Sequence, residues 1–362
     1  MLKRWSEERA WEWYLSKPWP VGCNYVPANT FHCMELWQDD LHEEVLLSVR
    51  EEIALMKNIG FNTVRMFLPF FAWYLDGDGF FDKLDKLLSA LDEAGITMMP
   101  VLFNDCVGFG PKPEKIEPIR HTGWYAYDVG VHGGVKADNP FMAEGERVGW
   151  ILFDEPEWHM PQEAYVTALI TRFKADERII AWDLWNEPGN SNRRDRSIPY
   201  LKRVFEVARA ISPVQPLTVA CWSYPHDFGK NEQAELEPIQ KLAVELSDVI
   251  TFHQYERFEN VLRVVEKLEK LGRPMMNTEW LNRILDNFWE DNLRLYHEKR
   301  IGSYSWGLVA GKSQHFLPWD HLREHAGLDL TRWQHDLFHE DHSPYDAKEI
   351  DFLRRLLNRE PS

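Results

Sequence analysis

The sequence has few of the features that mark secreted, membrane or nucleic-acid-binding proteins. Its four cysteines among 362 residues form no CxxC pair or other metal-binding spacing, which argues against a disulfide framework and indicates free thiols. No apolar stretch approaches the roughly 18 residues of a transmembrane helix, and residues 1–8 contain no apolar signal-peptide core. We therefore expect a cytoplasmic protein without a membrane partner.

Positive charge is also scarce. The chain has 41 Lys and Arg against 58 Asp and Glu, a net charge of −17. A nucleic-acid partner would require a basic patch, so none is expected. Tryptophan, in contrast, is abundant, with 17 residues. Indole rings suit a ligand with one apolar face, such as a sugar ring, although a Trp-rich core is the alternative explanation.

Two hydrophobic periodicities alternate along the chain. Apolar runs of strand length occur at eight positions: 21–25, 61–67, 96–103, 179–185, 217–221, 249–252, 274–278 and 302–307. Segments with helical spacing lie between or after them: 42–58, 81–94, 162–174, 197–212, 231–246, 261–271, 284–299 and 347–357.

Strict alternation of strands and helices predicts parallel strands joined by crossovers. Eight repeats favour an α/β fold with a single (β/α)8 TIM barrel and long loops at its C-terminal face. We expect one domain over 1–362, with a short N-terminal lead-in at 1–20 that packs over the core or rims a site. A long insertion at 104–160 is rich in Pro and Gly, and loops of this length are usually functional.

The run from Ile179 to Trp185 ends abruptly in Asn186-Glu187-Pro188-Gly189. Pro-Gly stops the strand, so Glu187 should lie at its C-terminal end beside aromatic residues. Desolvation there would raise the pKa of the carboxyl, as a general acid working near neutral pH requires. The alternative is a solvated glutamate at the start of a helix.

Barrel enzymes build their sites at the C-terminal ends of the strands. Those ends provide these residues: Arg65, Asn104, Asp105, Asn186, Glu187, Trp222, His253, Tyr255, Glu279, Trp280 and Trp306. Glu187 and Glu279 would face each other across one barrel mouth, and glycoside hydrolysis needs such a carboxyl pair. Arg65 and Tyr255 could keep one carboxylate ionised, Asn186 could hold a sugar hydroxyl, and Trp306 could lie under the ring.

These residues carry a resemblance to clan A glycoside hydrolases, and especially to glycoside hydrolase family 5. Trp185-Asn186-Glu187-Pro188 resembles the Asn-Glu-Pro signature on strand four, and His253-Gln254-Tyr255 resembles the His-x-Tyr of strand six. Thr278-Glu279-Trp280 is similar to the nucleophile strand, while Arg65 and Trp306 match residues of strands two and eight. The resemblance spans residues 20 to 310.

The resemblance implies that Glu187 is the acid/base and Glu279 the nucleophile of a retaining mechanism without metal or other cofactor. It further implies that Arg65, Asn186, His253, Tyr255 and Trp306 surround the scissile sugar. The family's histidine near the end of strand three is replaced here by Phe103-Asn104-Asp105-Cys106. Asp105 would then bind a hydroxyl pair or meet a basic group.

Three further segments, 22–27, 35–38 and 306–312, resemble a bacterial group labelled β-xylanase or cellulase-like. They contain Asn24, Glu35, Trp37 and Lys312, which with Trp222 complete the substrate-binding candidates. The expected activity is retaining hydrolysis of β-linked oligosaccharides or small glycosides, in a short cleft walled by the insertion and by residues 308–342.

Two alternatives remain open at this point. One is a non-catalytic carbohydrate-binding barrel, and the other is a metal-dependent lyase or isomerase. The latter would need His and Asp at several strand ends, where only His253 qualifies, and the irregularly spaced histidines of the tail (315, 321, 325, 335, 339 and 342) do not predict a metal site. The sequence leaves open the sugar, the linkage, endo against exo cleavage, transglycosylation and the oligomeric state.

Overall fold

The fold is that of a computed structural model, which describes residues 3–31, 33–106, 132–134, 151–225, 227–231 and 233–358. Most of the predicted insertion at 104–160 therefore lies outside the described residues. In the described part of the chain, no helix is long and apolar enough to cross a membrane.

The described residues form nine strands and ten α-helices. The strands are β1 Val21–Asn24, β2 Thr63–Phe67, β3 Thr97–Val101, β4 Trp182–Asp183, β5 Leu217–Thr218, β6 Ala220–Cys221, β7 Ile250–His253, β8 Met275–Trp280 and β9 Gly302–Trp306. The helices are α1 Glu7–Leu15, α2 His42–Ile59, α3 Phe70–Leu75, α4 Gly77–Asp92, α5 His159–Phe173, α6 Ile198–Ile211, α7 Pro238–Leu246, α8 Phe258–Glu269, α9 Trp289–Glu298 and α10 Ala347–Leu357.

All strand pairs are parallel, and the strand order is β5-β4-β3-β2-β1-β9-β8-β7-β6. The two edge strands are pieces of one predicted strand, interrupted only at Val219. β5 pairs with β4, and β6 pairs with β7. Together they form the fifth strand of the barrel, which links the two edges of the sheet and closes it. The predicted (β/α)8 barrel is confirmed, with β7, β8 and β9 as its sixth, seventh and eighth strands.

Helix α1 lies at the N-terminal end of the barrel. Tyr14 is fully buried against Met99, Ile180, Met276 and other interior residues of the barrel. Its hydroxyl donates to the carbonyl of Arg300, just before β9, at 2.7 Å. Because active sites of barrels lie at the opposite end, the lead-in packs over the core and does not rim the site.

Several predicted boundaries need correction. The predicted helix at 231–246 begins only at Pro238, which fits the first turn of a helix because proline lacks an N–H. The predicted helix at 284–299 is interrupted at Asp286, whose φ of 57° is left-handed; α9 starts at Trp289. Strand β4 is short, but isolated bridges at Ile179 and Asn186 extend its pairing with the third strand.

Gly22 lies where β1 and β2 approach closely. A Cβ at this position would lie 1.6 Å from the backbone oxygen of Thr63, so we expect Gly22→Ala to destabilise the barrel by about 3 kcal/mol. Gly77→Ala is the matched control, since its Cβ would come no closer than 3.7 Å to Trp73. Calorimetry should find a lower melting temperature for Gly22→Ala alone; equal temperatures for both variants would contradict the prediction.

Candidate active site

Two glutamates lie at the C-terminal end of the barrel. Glu279 belongs to β8, and Glu187 follows β4 with a left-handed φ of 48°. They are only 5% and 7% exposed, respectively, so Glu187 is not the solvated helix-start residue of the alternative interpretation. One carboxylate oxygen of each, together with a ring nitrogen of His253, lies within 4.8 Å of the others.

Arg65 organises the surroundings of this pair from β2. Its Nε and Nη2 contact Oδ2 of Asp183 at 2.9 and 2.8 Å. Its Nη1 donates to Asn24 at 2.7 Å and to Oε1 of Glu279 at 2.8 Å, and Nη2 also donates to Asn186 at 2.7 Å. Four of the five N–H donors of the guanidinium thus have hydrogen-bond acceptors, Nη2 is also ion-paired with Asp183, and the side chain is fully buried.

Glu279 and Glu187 receive different donors. The hydroxyl of Tyr255 donates to Oε2 of Glu279 at 2.9 Å, while Arg65 donates to the other oxygen. Nδ1 of His253 lies 2.7 Å from Oε1 of Glu187 and 3.4 Å from Oε2 of Glu279. Arg65 of the second strand, with His253 and Tyr255 at the end of the sixth, therefore supply donors that stabilise a negative charge on the carboxylates.

The pKa of Glu187 differs from the sequence-based expectation. Burial raises this pKa, but the hydrogen bond and charge of His253, with hydrogen bonds from Asn190 and Cys106, outweigh burial and lower the pKa below its ordinary value. The predicted upward shift is therefore wrong. To act as an acid, Glu187 must gain a proton, and Nδ1 of His253 lies within hydrogen-bonding distance.

Asn104 and Asn186 form one hydrogen-bonded unit. The side-chain oxygen of Asn186 accepts from Arg65, so its Nδ2 points away and donates to Oδ1 of Asn104 at 2.9 Å. Oδ1 of Asn104 also accepts from the backbone N–H of Cys106 at 2.8 Å. Asn104 thus orients the Asn186 amide, whose second N–H hydrogen can serve a ligand.

Asp105 is buried against the turn that follows Glu187. It is 2% exposed, and its Oδ2 accepts from the backbone N–H of Gly189 at 2.7 Å and from Ser197. Its Oδ1 lies 3.3 Å from Nε of Arg193. Of the two predicted roles, the structure supports contact with a basic group: Asp105 fixes the turn that follows Glu187.

Two half-buried tryptophans lie at the C-terminal ends of the fifth and eighth strands. Trp222 donates from its indole N–H to the carbonyl of Pro188, directly after Glu187, at 3.1 Å. Trp306 ends β9, with its ring 6.4 Å from Phe67 and nearly parallel to it. Both indole rings therefore keep part of their surface exposed at the strand ends.

Glu35, Trp37 and Lys312 make their contacts in and around the loop after β1. Glu35 is buried and accepts from the backbone N–H of Phe31 at 2.8 Å. Trp37 stacks on Phe80 at 4.5 Å, and the ammonium of Lys312 lies 4.8 Å from the ring of Phe31. These contacts support the loop, whereas the fourth candidate from these segments, Asn24, orients Arg65.

Sequence reasoning missed three neighbours of the site. Asn190 and Cys106 both hydrogen-bond to Glu187, and the ring of Trp319 lies 5.0 Å from that of Tyr255. A polar residue three positions after the glutamate was a usable signal for Asn190. Trp319 had none, because it lies in an irregular segment whose path depends on tertiary packing.

Among the described residues, one group has the geometry to hold a metal ion: Glu187, His253 and Glu279. The contacts of this group favour another use. Arg65 already places its positive charge 2.8 Å from Glu279, and Nδ1 of His253 is engaged with Glu187. A divalent cation would have to compete with both.

A (β/α)8 barrel with a close pair of buried glutamates at the ends of its fourth and seventh strands defines a barrel glycoside hydrolase. The family model described as cellulase (glycosyl hydrolase family 5) matches residues 29–305. Because this match covers more than half of the chain, the protein belongs to glycosyl hydrolase family 5, and the resemblance found in the motifs is confirmed.

Solved structures show the same fold at low sequence identity. An exo-β-1,4-mannosidase from Opitutaceae bacterium strain TAV5 has a TM-score of 0.55 and 19% identity, covering 94% of this chain and 60% of that one. A β-1,4-D-mannanase from Cryptopygus antarcticus has a TM-score of 0.56 and 11% identity, covering 94% and 90%. An endo-β-1,4-mannanase from Thermotoga petrophila has a TM-score of 0.52 and 15% identity, covering 94% and 78%. No curated protein sequence matches the chain.

The contact between His253 and Glu187 gives a testable pH dependence. A general acid works only when protonated, so the role expected of Glu187 requires activity to fall as pH rises through its pKa. His253→Gln removes a histidine that lowers this pKa, so the basic limb of kcat/KM for an aryl β-glycoside should move to higher pH.

Glu256→Gln is the control for this measurement, because Glu256 is exposed, lies beside Tyr255 and pairs with Asn260. Its profile should match that of the wild type. A basic limb that stays in place or moves to lower pH in His253→Gln would contradict the role given to His253.

Proposed function

We propose that this protein is a retaining β-glycoside hydrolase acting on β-linked oligosaccharides or small glycosides. One observation carries the proposal: oxygens of Glu187 and Glu279 lie within 4.8 Å of each other. Retaining glycosidases hold their two carboxyl groups about 5–5.5 Å apart, whereas inverting enzymes need about 6.5–9.5 Å to admit a water molecule. The short spacing supports direct attack by one carboxylate.

The donors around the pair support the assignment of roles. Glu279 receives hydrogen bonds from Arg65 and Tyr255, one to each oxygen, as suits a group that must remain an anion until it attacks. Glu187 contacts the ring of His253 at 2.7 Å, a group that can hold or supply a proton. We therefore assign Glu279 as nucleophile and Glu187 as acid/base.

The reaction then has two displacements at the anomeric carbon. Glu187 protonates the glycosidic oxygen while a Glu279 oxygen attacks, so the bond to the leaving group breaks and a glycosyl ester forms. Glu187, now ionised, accepts a proton from water, and the resulting hydroxide oxygen displaces Glu279. Asn186 offers an N–H for the sugar 2-hydroxyl, a contact that strengthens in the transition state.

The charge of the site supports an uncharged sugar. Arg65 is fully buried and donates four hydrogen bonds to protein groups, so it is not available to a substrate carboxylate. The half-buried rings of Trp222 and Trp306 suit the apolar face of a neutral pyranose. The solved structures with a similar fold include an exo-β-1,4-mannosidase and β-mannanases. Aryl β-mannosides are therefore the first substrates to assay, followed by β-glucosides and β-xylosides.

The cellular location of the enzyme remains a prediction. No disulfide joins the cysteines of the described residues, which supports a reducing compartment such as the cytoplasm. Cytoplasmic location would suit imported oligosaccharides or small glycosides as substrates. The single-domain organisation and the lack of nucleic-acid and membrane partners are likewise predictions from the sequence.

Azide rescue tests the two roles separately. Glu279→Ala should lose at least about 10³-fold in kcat, and azide should rescue it by attacking the substrate directly, giving an α-glycosyl azide. Glu187→Ala should retain turnover of a 2,4-dinitrophenyl glycoside, which needs little acid assistance. Azide should then attack the glycosyl-enzyme and give the β-glycosyl azide.

Product configuration, read by NMR, decides between the assignments. Glu256→Gln serves as the control and should keep wild-type activity. Full activity of Glu279→Ala would refute the assignment of Glu279 as the nucleophile. Oligosaccharide binding by calorimetry without any turnover by the wild type over days would instead identify a non-catalytic carbohydrate-binding barrel.

A further inference from the structure

A wall of aromatic and imidazole rings lies beside the nucleophile candidate. It is built from His132, in the described part of the long insertion, and from His315, Trp319 and His335, which follow β9. The ring of Tyr255 lies 5.0 Å from Trp319 and 5.7 Å from His335. We refer to these four residues as the ring wall.

The hydrogen bonds of His132 define its protonation state. Nδ1 lies 2.7 Å from the carbonyl oxygen of Leu317, so Nδ1 carries a hydrogen and donates. The indole N–H of Trp319 points at Nε2 at 3.2 Å. Since an indole N–H can only donate, Nε2 must be an unprotonated acceptor, and His132 is neutral.

A second chain of hydrogen bonds holds the backbone of Trp319. Its backbone N–H donates to Oε1 of Gln334 at 2.8 Å, and Nε2 of Gln334 donates to Nε2 of His335 at 2.9 Å. Nδ1 of His335 then donates to the carbonyl of Leu281, just after β8, at 2.5 Å. This chain fixes the backbone position of Trp319, whereas the orientation of its indole N–H is set by the bond to His132.

Trp319 in turn contacts the residue that serves the nucleophile. Its ring meets that of Tyr255 at an interplanar angle of 82°, an edge-to-face arrangement, which is favourable for aromatic pairs. The hydroxyl of Tyr255 donates to Glu279 at 2.9 Å. A rotation of the indole would therefore remove the packing that holds Tyr255 in this orientation.

We propose that His132 is a positioning residue of the active site, which holds the Trp319 indole against Tyr255 and so orients the hydrogen bond that Tyr255 gives to Glu279. The inference rests on the proposed function for its kinetic consequence, but not for its geometry. It gives the described residues 132–134 of the long insertion a defined role, because the imidazole of His132 completes the ring wall beside Tyr255.

The surroundings of His132 keep the ring neutral above about pH 4. Burial lowers the pKa of His132 to about 4, against an opposing hydrogen bond to the Leu317 carbonyl. The charged and titratable groups that face it are Asp320, His321, Arg323, His315 and His335. Above this pKa, Nε2 remains an acceptor for Trp319; protonation would set two N–H groups against each other.

A double-mutant cycle tests the contact through activity. His132→Leu and Trp319→Phe should each lower kcat/KM by about tenfold, since each removes the same hydrogen bond. The double variant should lose no more than either single variant, because residues that act through one contact are not additive. His132→Gln can donate to Leu317 and accept from the indole, so it should stay within about threefold of the wild type.

His297→Leu is the matched control, because His297 packs edge-on against Trp19, at 4.9 Å, near the opposite end of the barrel. It should leave kcat/KM unchanged. Additive losses in the double variant, or a folded His132→Leu variant with wild-type kcat/KM, would overturn the proposal.

Long-range ¹H–¹⁵N NMR of histidine-labelled protein tests the geometry without any substrate. The His132 signal, assigned by its loss in His132→Gln, should show the Nδ1–H tautomer at pH 7 and become charged only near pH 4. Trp319→Phe should move this titration to higher pH. An Nε2–H tautomer, or a charged ring at pH 7, would refute the contact even if the protein proved inactive on every glycoside.

Discussion

The buried guanidinium of Arg65 is the interaction on which the site depends. Its donors reach Asn24 on β1, Asp183 on β4, Asn186 after β4 and Glu279 on β8. Burying this charge is costly unless each partner is in place, so the barrel and the catalytic geometry are established together. A strand out of register would leave a charge without its counterpart.

The two ends of the barrel have separate roles. At the N-terminal end, α1 covers the interior with the buried ring of Tyr14. At the C-terminal end, loops bring groups to the glutamates: Asp105 fixes the turn after Glu187, and the ring wall packs against Tyr255. This separation lets the loops determine which sugar fits without disturbing the core.

Much of the site was accessible from the sequence, because the C-terminal ends of parallel strands converge on one face. Glu187 and Glu279 were predicted to meet for this reason, and their oxygens lie within 4.8 Å. The helix predicted over 284–299 failed because periodicity continues across Asp286, where the backbone turns left-handed. Hydrophobic spacing contains no signal for such a turn, and none for the path of the segment that brings in Trp319.

Glu187 shows what the sequence determines by itself and what only the tertiary structure decides. The sequence alone put a glutamate at the end of a buried run, because Pro188 and Gly189 stop the strand. It also predicted burial, which by itself raises the pKa of a carboxyl. His253 is 66 residues further along the chain, and only the tertiary structure places its Nδ1 2.7 Å from Glu187. This contact, with the hydrogen bond from Asn190, reverses the direction of the pKa shift. Electrostatics depends on distance in space, which a linear pattern does not contain.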